Sequence, residues 1–135
     1  GKITYGYDIS DYPTPPGTLK IDDVHKEWVD VITFFDSLEH LPRPDLAEFL
    51  RGLPTKYVCI SVPWYHEEQG KDWFMKWKHR RENEHLHHFD SVGLMNLLSD
   101  AGYKILFLGN DEDAVRTPVD DLPNILTVIA KKLEN

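Results

Sequence analysis

The chain has 135 residues, with 41% hydrophobic and 28% charged side chains, which fits one soluble domain and excludes wholesale disorder. Its single cysteine, Cys59, excludes a disulfide framework and any four-cysteine zinc site. A net charge of −8, from 15 Lys and Arg against 23 Asp and Glu, disfavours nucleic-acid and anionic-membrane partners.

No apolar run approaches the ~18 residues of a membrane span. Nor is there a basic-then-apolar leader, so the expected compartment is the cytoplasm. The basic residues are unevenly spread. Lys71, Lys76, Lys78, Arg80 and Arg81 sit together against Asp72, which keeps a local anion-binding face despite the overall charge.

Residues 3–9 (ITYGYDI) are β-branched and aromatic and predict a strand. The following DYPTPPGT holds Pro13, Pro15, Pro16 and Gly17 and predicts a stiff loop. Residues 19–21 predict a short strand ending at Asp22 and Asp23. Residues 29–35 (VDVITFF) are almost continuously apolar, the pattern of a strand covered on both faces. In DLAEFLRGL, Leu46, Phe49, Leu50 and Leu53 recur at helical spacing, and Gly52 and Pro54 end the helix. Residues 57–62 (YVCISV) predict a second buried strand, stopped by Pro63. Residues 91–101 predict a helix with Leu94, Leu97 and Leu98 on one face and Gly102 as its cap. Residues 104–108 and 125–130 predict the last two strands.

This alternation implies α/β architecture: a mostly parallel sheet with flanking helices and a C-terminal antiparallel edge hairpin. Residues 29–35 and 57–62 are expected side by side at its centre. Residues 64–88, polar and aromatic, read as an insertion or flap within the single domain 1–135.

In open α/β sheets ligands bind beyond the carboxyl ends of the strands. That rule selects Asp8, Asp22 or Asp23, residues 34–36, and residues 63–65. A strand-end acid such as Asp8 either accepts two hydroxyls of a ribose diol or caps the next turn. Five of the seven histidines lie between His66 and His88. The run Glu84-His85-Leu86-His87-His88 admits three roles: metal ligand, neutral general base, or capping and core histidine. Its spacing matches no established metal site, so no metal ligands are assigned. Trp64, Tyr65, Trp73 and Trp77, interleaved with Lys76, Lys78, Arg80 and Arg81, suit either stacking on a base or packing of the flap onto the domain. Cys59, inside an apolar strand, reads as a small buried hydrophobe.

DVITFFDSLEHLP at residues 30–42 resembles the fourth-strand region of class I S-adenosylmethionine-dependent methyltransferases, which have a Rossmann-like fold. YVCISVP is similar to their fifth strand. HHFDS with LMNLLSDAGYKI resembles their last helix and sixth strand, and ILTVIAKK their seventh. TYGYDIS resembles the second strand, and LKIDDV the end of the third. The resemblance implies S-adenosylmethionine as cofactor. Asp8 would hold the ribose, Asp22 or Asp23 would meet the adenine amino group, and Phe35, Asp36 and Ser37 would lie beside the transferred methyl. His40 sits on the turn behind them, and His85, His87 and His88 approach from the insertion as candidates for acid–base work. Trp64, Tyr65, Trp73 and Trp77 become candidate contacts for a small-molecule or nucleotide-type methyl acceptor.

Two departures follow from the same comparison. The family's first strand and its glycine-rich loop, which cradles the methionine end of the cofactor, precede the second strand. This chain starts at the second strand, and Gly1 and Gly6 do not replace the loop. The helix between strands two and three is reduced to the proline loop, residues 12–17. A truncated domain of this kind is expected to bind the cofactor weakly or not at all by itself. In it, residues 3–9 pair directly with residues 29–35, or a second copy or a preceding segment fills the gap. Two further readings stand beside the enzyme: a non-catalytic remnant of the fold serving as a binding or scaffold module, and a histidine-dependent metal-binding domain.

Overall fold

The structure, a computed structural model, describes residues 1–8, 12–116 and 121–134. Ile9 and Asp11, which belong to the expected first strand and loop, lie outside them. The strands are β1 (Thr4–Tyr7), β2 (Thr18–Ile21), β3 (Val29–Phe35), β4 (Thr55–Pro63), β5 (Tyr103–Gly109) and β6 (Ile125–Lys132). The helices are α1 (Leu46–Arg51), α2 (Gly70–Lys76) and α3 (Ser91–Asp100), and short 3-10 turns form at Leu38–His40, Glu67–Gln69 and Asp111–Ala114.

The main sheet has the order β3-β4-β6-β5. β3 and β4 are parallel, whereas β6 runs antiparallel to both β4 and β5. Three of these four strands therefore point the same way, and the expected C-terminal antiparallel pair forms with β5 at the edge. β1 and β2 pair in parallel as a separate two-stranded sheet.

Two expectations are corrected here. β1 pairs with β2 and not with β3, so β3 is an edge strand and not a central one. Nor is β3 covered on both faces: Val31 is 48% and Phe35 56% exposed, while Phe34 is buried. The physical reason is that helices α1 and α3 cover one face only. Phe34 of β3, Val58, Ile60 and Val62 of β4, and Val128 and Ala130 of β6 pack into one core with Leu46, Phe49 and Leu50 of α1 and Leu94 and Leu98 of α3. Successive strand residues point to opposite faces, so Val31, Cys59 and Ile129 point away from that core. The alternation was hidden because both sets are apolar.

The covering helices are locally specified. Asp45 caps α1 by accepting from the Glu48 N–H at 3.1 Å, and Asp90 caps α3 by accepting from the Gly93 N–H at 2.6 Å. Past α3, Gly102 takes φ +85, the left-handed turn that glycine adopts without strain.

Tyr103 locks β5 to α1. It is 3% exposed and its hydroxyl donates to the Leu50 carbonyl at 2.7 Å. Burial pushes the phenol up to about 12. Because this exceeds the unfolded value of about 10, the stabilisation is complete below about pH 10 and is lost as pH rises towards 12. Lys132, donating to the Arg51 and Leu53 carbonyls at 2.6 Å and pushed down by burial, works in the opposite sense. Tyr103→Phe isolates the phenol. It is expected to cost about 0.5–1.5 kcal/mol at neutral pH and to flatten the alkaline decline of the urea midpoint. An unchanged alkaline slope would contradict the assignment.

Candidate functional site

The parallel strands β3 and β4 bring residues 36 and 64 to the same end of the sheet, since Phe35 pairs with Ser61 and Pro63 with Ile125. At the end of β3 the Asp36 N–H still donates to Ser61 O at 3.0 Å, but Asp36 itself turns to φ +52. A left-handed non-glycine residue at a strand end marks a position held by its surroundings. Its carboxylate accepts from Arg116 Nη1 at 2.8 Å, and Arg116 also reaches Glu112 at 3.3 Å. Ser37 then opens the 3-10 turn, with its carbonyl accepting from the His40 N–H at 3.1 Å. The side chain of Phe35 stands exposed beside it.

Asp8 is exposed immediately after β1. After β2, Asp22 pairs with Lys26 at 3.9 Å. Asp23 accepts from the His25 N–H at 2.9 Å, and this bond, foremost, holds its carboxyl below the usual range. Asp23 thus carries the turn-capping role and Asp22 stays the more exposed acid.

Residues 64–88 form an excursion after β4 that contains α2, a helix that the sequence pattern did not reveal. Its return segment is strapped to the turn Leu38–His40. The Leu86 and His87 N–H groups donate to Glu39 O at 2.9 and 3.2 Å, and His87 Nε2–H donates to Leu41 O at 2.8 Å. His40 Nδ1–H donates to Glu84 O at 2.8 Å, and His85 Nδ1–H to His79 O at 2.7 Å. Three of the four candidate acid–base histidines therefore each commit one ring nitrogen to a backbone carbonyl. His88 instead packs its ring against Phe74, Trp77 and Tyr65 at centroid distances of 5.1, 6.0 and 6.1 Å. Burial pushes the imidazoles of His79, His85 and His88 down, towards the neutral form.

The candidate aromatics come together. Trp73 stacks on Trp77 at 5.3 Å, and Tyr65 lies 6.3 and 5.9 Å from them. Trp64 stacks on His66 at 5.6 Å and is half-buried against the core. Trp73 and Trp77 keep one side on a cleft of about 190 Å³ that Lys76, Lys78, His66 and Asn124 also line. The rings pack on one another, as the packing alternative expects, while two of them and two cations line a cleft. Arg80 and Arg81 instead pair with Glu82 and Glu84 at 2.6 and 3.5 Å.

Sequence reasoning missed Arg116, Asp113 and Asn124. Asp113 accepts from the Asn124 and Ile125 N–H groups at 2.9 and 3.0 Å and so anchors the start of β6 beside the cleft. Asn124 Oδ1 meets His79 Nε2 at 2.8 Å. These links span 11 to 45 residues, and no local motif announces them. Among the described residues no helix is long and apolar enough to cross a membrane.

A parallel β3–β4 pair followed by the inserted reverse strand β6 and edge strand β5 defines a Rossmann-like α/β domain of the methyltransferase type. A family model described as "Methyltransferase domain" matches residues 2–107, and the chain belongs to that family. Solved structures share the fold at low identity. A Methanosarcina mazei S-adenosylmethionine-dependent methyltransferase aligns with TM-score 0.62 and 15% identity over 97% of this chain and 82% of its own. One from Mesorhizobium loti gives 0.58 and 17% over 96% and 80%. Magnesium protoporphyrin IX methyltransferase from Synechocystis, with bound SAH, gives 0.61 and 14% over 98% of this chain and 65% of its own. Among curated proteins none matches.

S-adenosylmethionine is the cofactor of this class. The residues present fit part of it: exposed acids directly follow β1 and β2, and an exposed phenylalanine ends β3. Carboxylates suit the ribose hydroxyls and the adenine amino group, and the ring suits an apolar wall. The bound cofactor supplies an electrophilic methyl on a sulfonium, and the protein's part is positioning and, for a hydroxyl acceptor, a base.

Proposed function

We propose that this chain is the major part of a domain that transfers a methyl group from S-adenosylmethionine to a small-molecule or nucleotide-type acceptor held under the flap. Residues 1–135 act as one domain with residues 64–88 as that flap. Asp8 and Asp22 receive the adenosine end, Phe35 walls it, and Asp36 and Ser37 stand beside the methyl. The acceptor lies against Trp73 and Trp77, with Lys76 and Lys78 receiving any negative charge. His88 serves as the base. Its ring packs against Phe74, Trp77 and Tyr65, desolvation there pushes the imidazole down towards the neutral form, and among the described residues no carbonyl ties its nitrogens as in His40, His85 and His87.

The single observation carrying this reading is the cleft of stacked Trp73 and Trp77, edged by two lysines, in the segment that follows β4. A strand from outside residues 1–135 completes the sheet between β1 and β3, supplied by a preceding segment or a second copy. Support comes from the exposed β3 edge and from the parallel β1–β2 pair, which a linking strand would join to it.

The test uses the full-length protein with methyl-tritiated S-adenosylmethionine and a cell extract split into small-molecule and macromolecular fractions. Label is expected in the small-molecule fraction. His88→Ala is expected to lower its rate about 10²–10⁴-fold, and Trp77→Ala to raise the KM for the acceptor. Label confined to protein or RNA, or full activity in His88→Ala, would overturn the assignment.

A further inference from the structure

A second cluster lies where the flap meets the Leu38–His40 turn. Glu39 is 1% exposed, yet neither oxygen of its carboxylate has a hydrogen-bond partner. An unpaired buried carboxylate costs several kcal/mol unless a cation or a proton neutralises it. Desolvation pushes its carboxyl up accordingly. Among the described residues Arg116 is committed to Asp36 and Glu112, and His40 Nε2, an ion-pair partner only when protonated, stands 3.6 Å from Glu39 Oε1, beyond hydrogen-bond reach.

Backbone carbonyls set the orientation of the two nearest imidazoles. A backbone carbonyl only accepts, so the bonds to Glu84 O and His79 O fix the proton of His40 and of His85 on Nδ1. In the neutral form of such a ring Nε2 is the free acceptor, the form that binds a metal ion. The rings meet edge to face at 4.6 Å, and one ligand-capable atom from each of Glu39, His40 and His85 lies within 4.8 Å of the other two. Three ligand-capable atoms thus face one another, and neither Glu39 carboxylate oxygen has a hydrogen-bond partner among the described residues. Histidines whose second nitrogen is held by a carbonyl are also the form in which proteins orient metal ligands.

We propose that Glu39, His40 and His85 form a site for a divalent transition-metal ion, zinc being the first candidate. One carboxylate and two imidazoles are a borderline-soft set that leaves coordination positions open for water or an exogenous ligand. The side chains close by about an ångström to reach ligand bonds of ~2.0–2.2 Å. The bound ion neutralises the buried carboxylate and ties the flap to the turn after β3. It also draws one ligand from the Glu84–His88 run, combined with a doublet 45 residues earlier, a pairing that spacing within that run does not contain. The inference stands apart from the methyl-transfer reading, because it needs neither cofactor nor acceptor.

The test is calorimetric titration of the full-length protein, stripped with EDTA, using Zn²⁺ alone, with Co²⁺ absorption as a second readout. One equivalent per chain is expected, together with cobalt d–d bands of a histidine-containing site. His85→Ala and Glu39→Gln are each expected to weaken binding at least about tenfold and to abolish the bands. Circular dichroism checks that each variant folds. Should Glu39→Gln unfold, the partly exposed His40→Ala and His85→Ala decide the matter. Absence of uptake by the wild type, or uptake and bands unchanged in His85→Ala, would overturn the proposal and leave a protonated Glu39 beside His40.

Discussion

Titrated into the 135-residue chain by itself, S-adenosylmethionine is expected to bind at millimolar concentration or weaker. The family holds this ligand from two sides. Acids and apolar residues after the second to fourth strands take the adenosine end, and a glycine-rich loop after the first strand takes the charged amino-acid end. On the proposed reading Asp8, Asp22 and Phe35 serve the former, and residues 1–135 hold no glycine-rich loop for the latter. Each hydrogen bond to a charged group contributes about 1.5–3 kcal/mol, and each 1.4 kcal/mol is about tenfold in affinity. Losing two such bonds turns a micromolar ligand into a millimolar one. Calorimetry reads the result directly. Micromolar binding that is lost in Asp8→Ala would mean that the chain holds the second end by other means.

The largest effect on stability is expected at Leu50. It is fully buried, lies in the core between α1 and the sheet, and its carbonyl receives the Tyr103 hydroxyl. Leu50→Ala removes apolar burial and leaves a cavity, costing about 2–5 kcal/mol, a large share of the 5–15 kcal/mol typical of a domain. On the uncovered face the outcome differs. Val31 is 48% exposed, so Val31→Thr is expected to shift stability by no more than about 0.5 kcal/mol. Urea unfolding followed by circular dichroism compares the two. Equal losses would show that the β3 outer face is covered after all.

Local chemistry was legible where one residue decides the geometry. Asp45, Asp90 and Gly102 sit at the helix ends that their types predict, because capping is settled within a few residues. Val29–Phe35 shows the limit. Its extent was readable from its apolar run, but its place in the sheet was not, because an edge strand with Val31 and Phe35 outward looks like a buried one. The site was legible in the same uneven way. The gathering of Tyr65, Trp73 and Trp77 follows from their density in one flap. The Asp36–Arg116 ion pair spans 80 residues and has no local signature. Glu39 likewise has no local signature of burial. Its burial accompanies the return of residues 86 and 87, whose N–H groups bond its backbone carbonyl.

The central claim is that the cofactor's adenosine end sits at the carboxyl ends of β1, β2 and β3. A titration of the ¹⁵N-labelled chain with S-adenosylmethionine, followed by amide chemical shifts, tests it even at millimolar affinity. Shifts are expected to concentrate at Asp8, Asp22, Asp23, Phe35 and Asp36, with Leu98 and the rest of α3 unmoved. Shifts confined to the Trp73–Trp77 cleft, or none at saturating ligand, would contradict it.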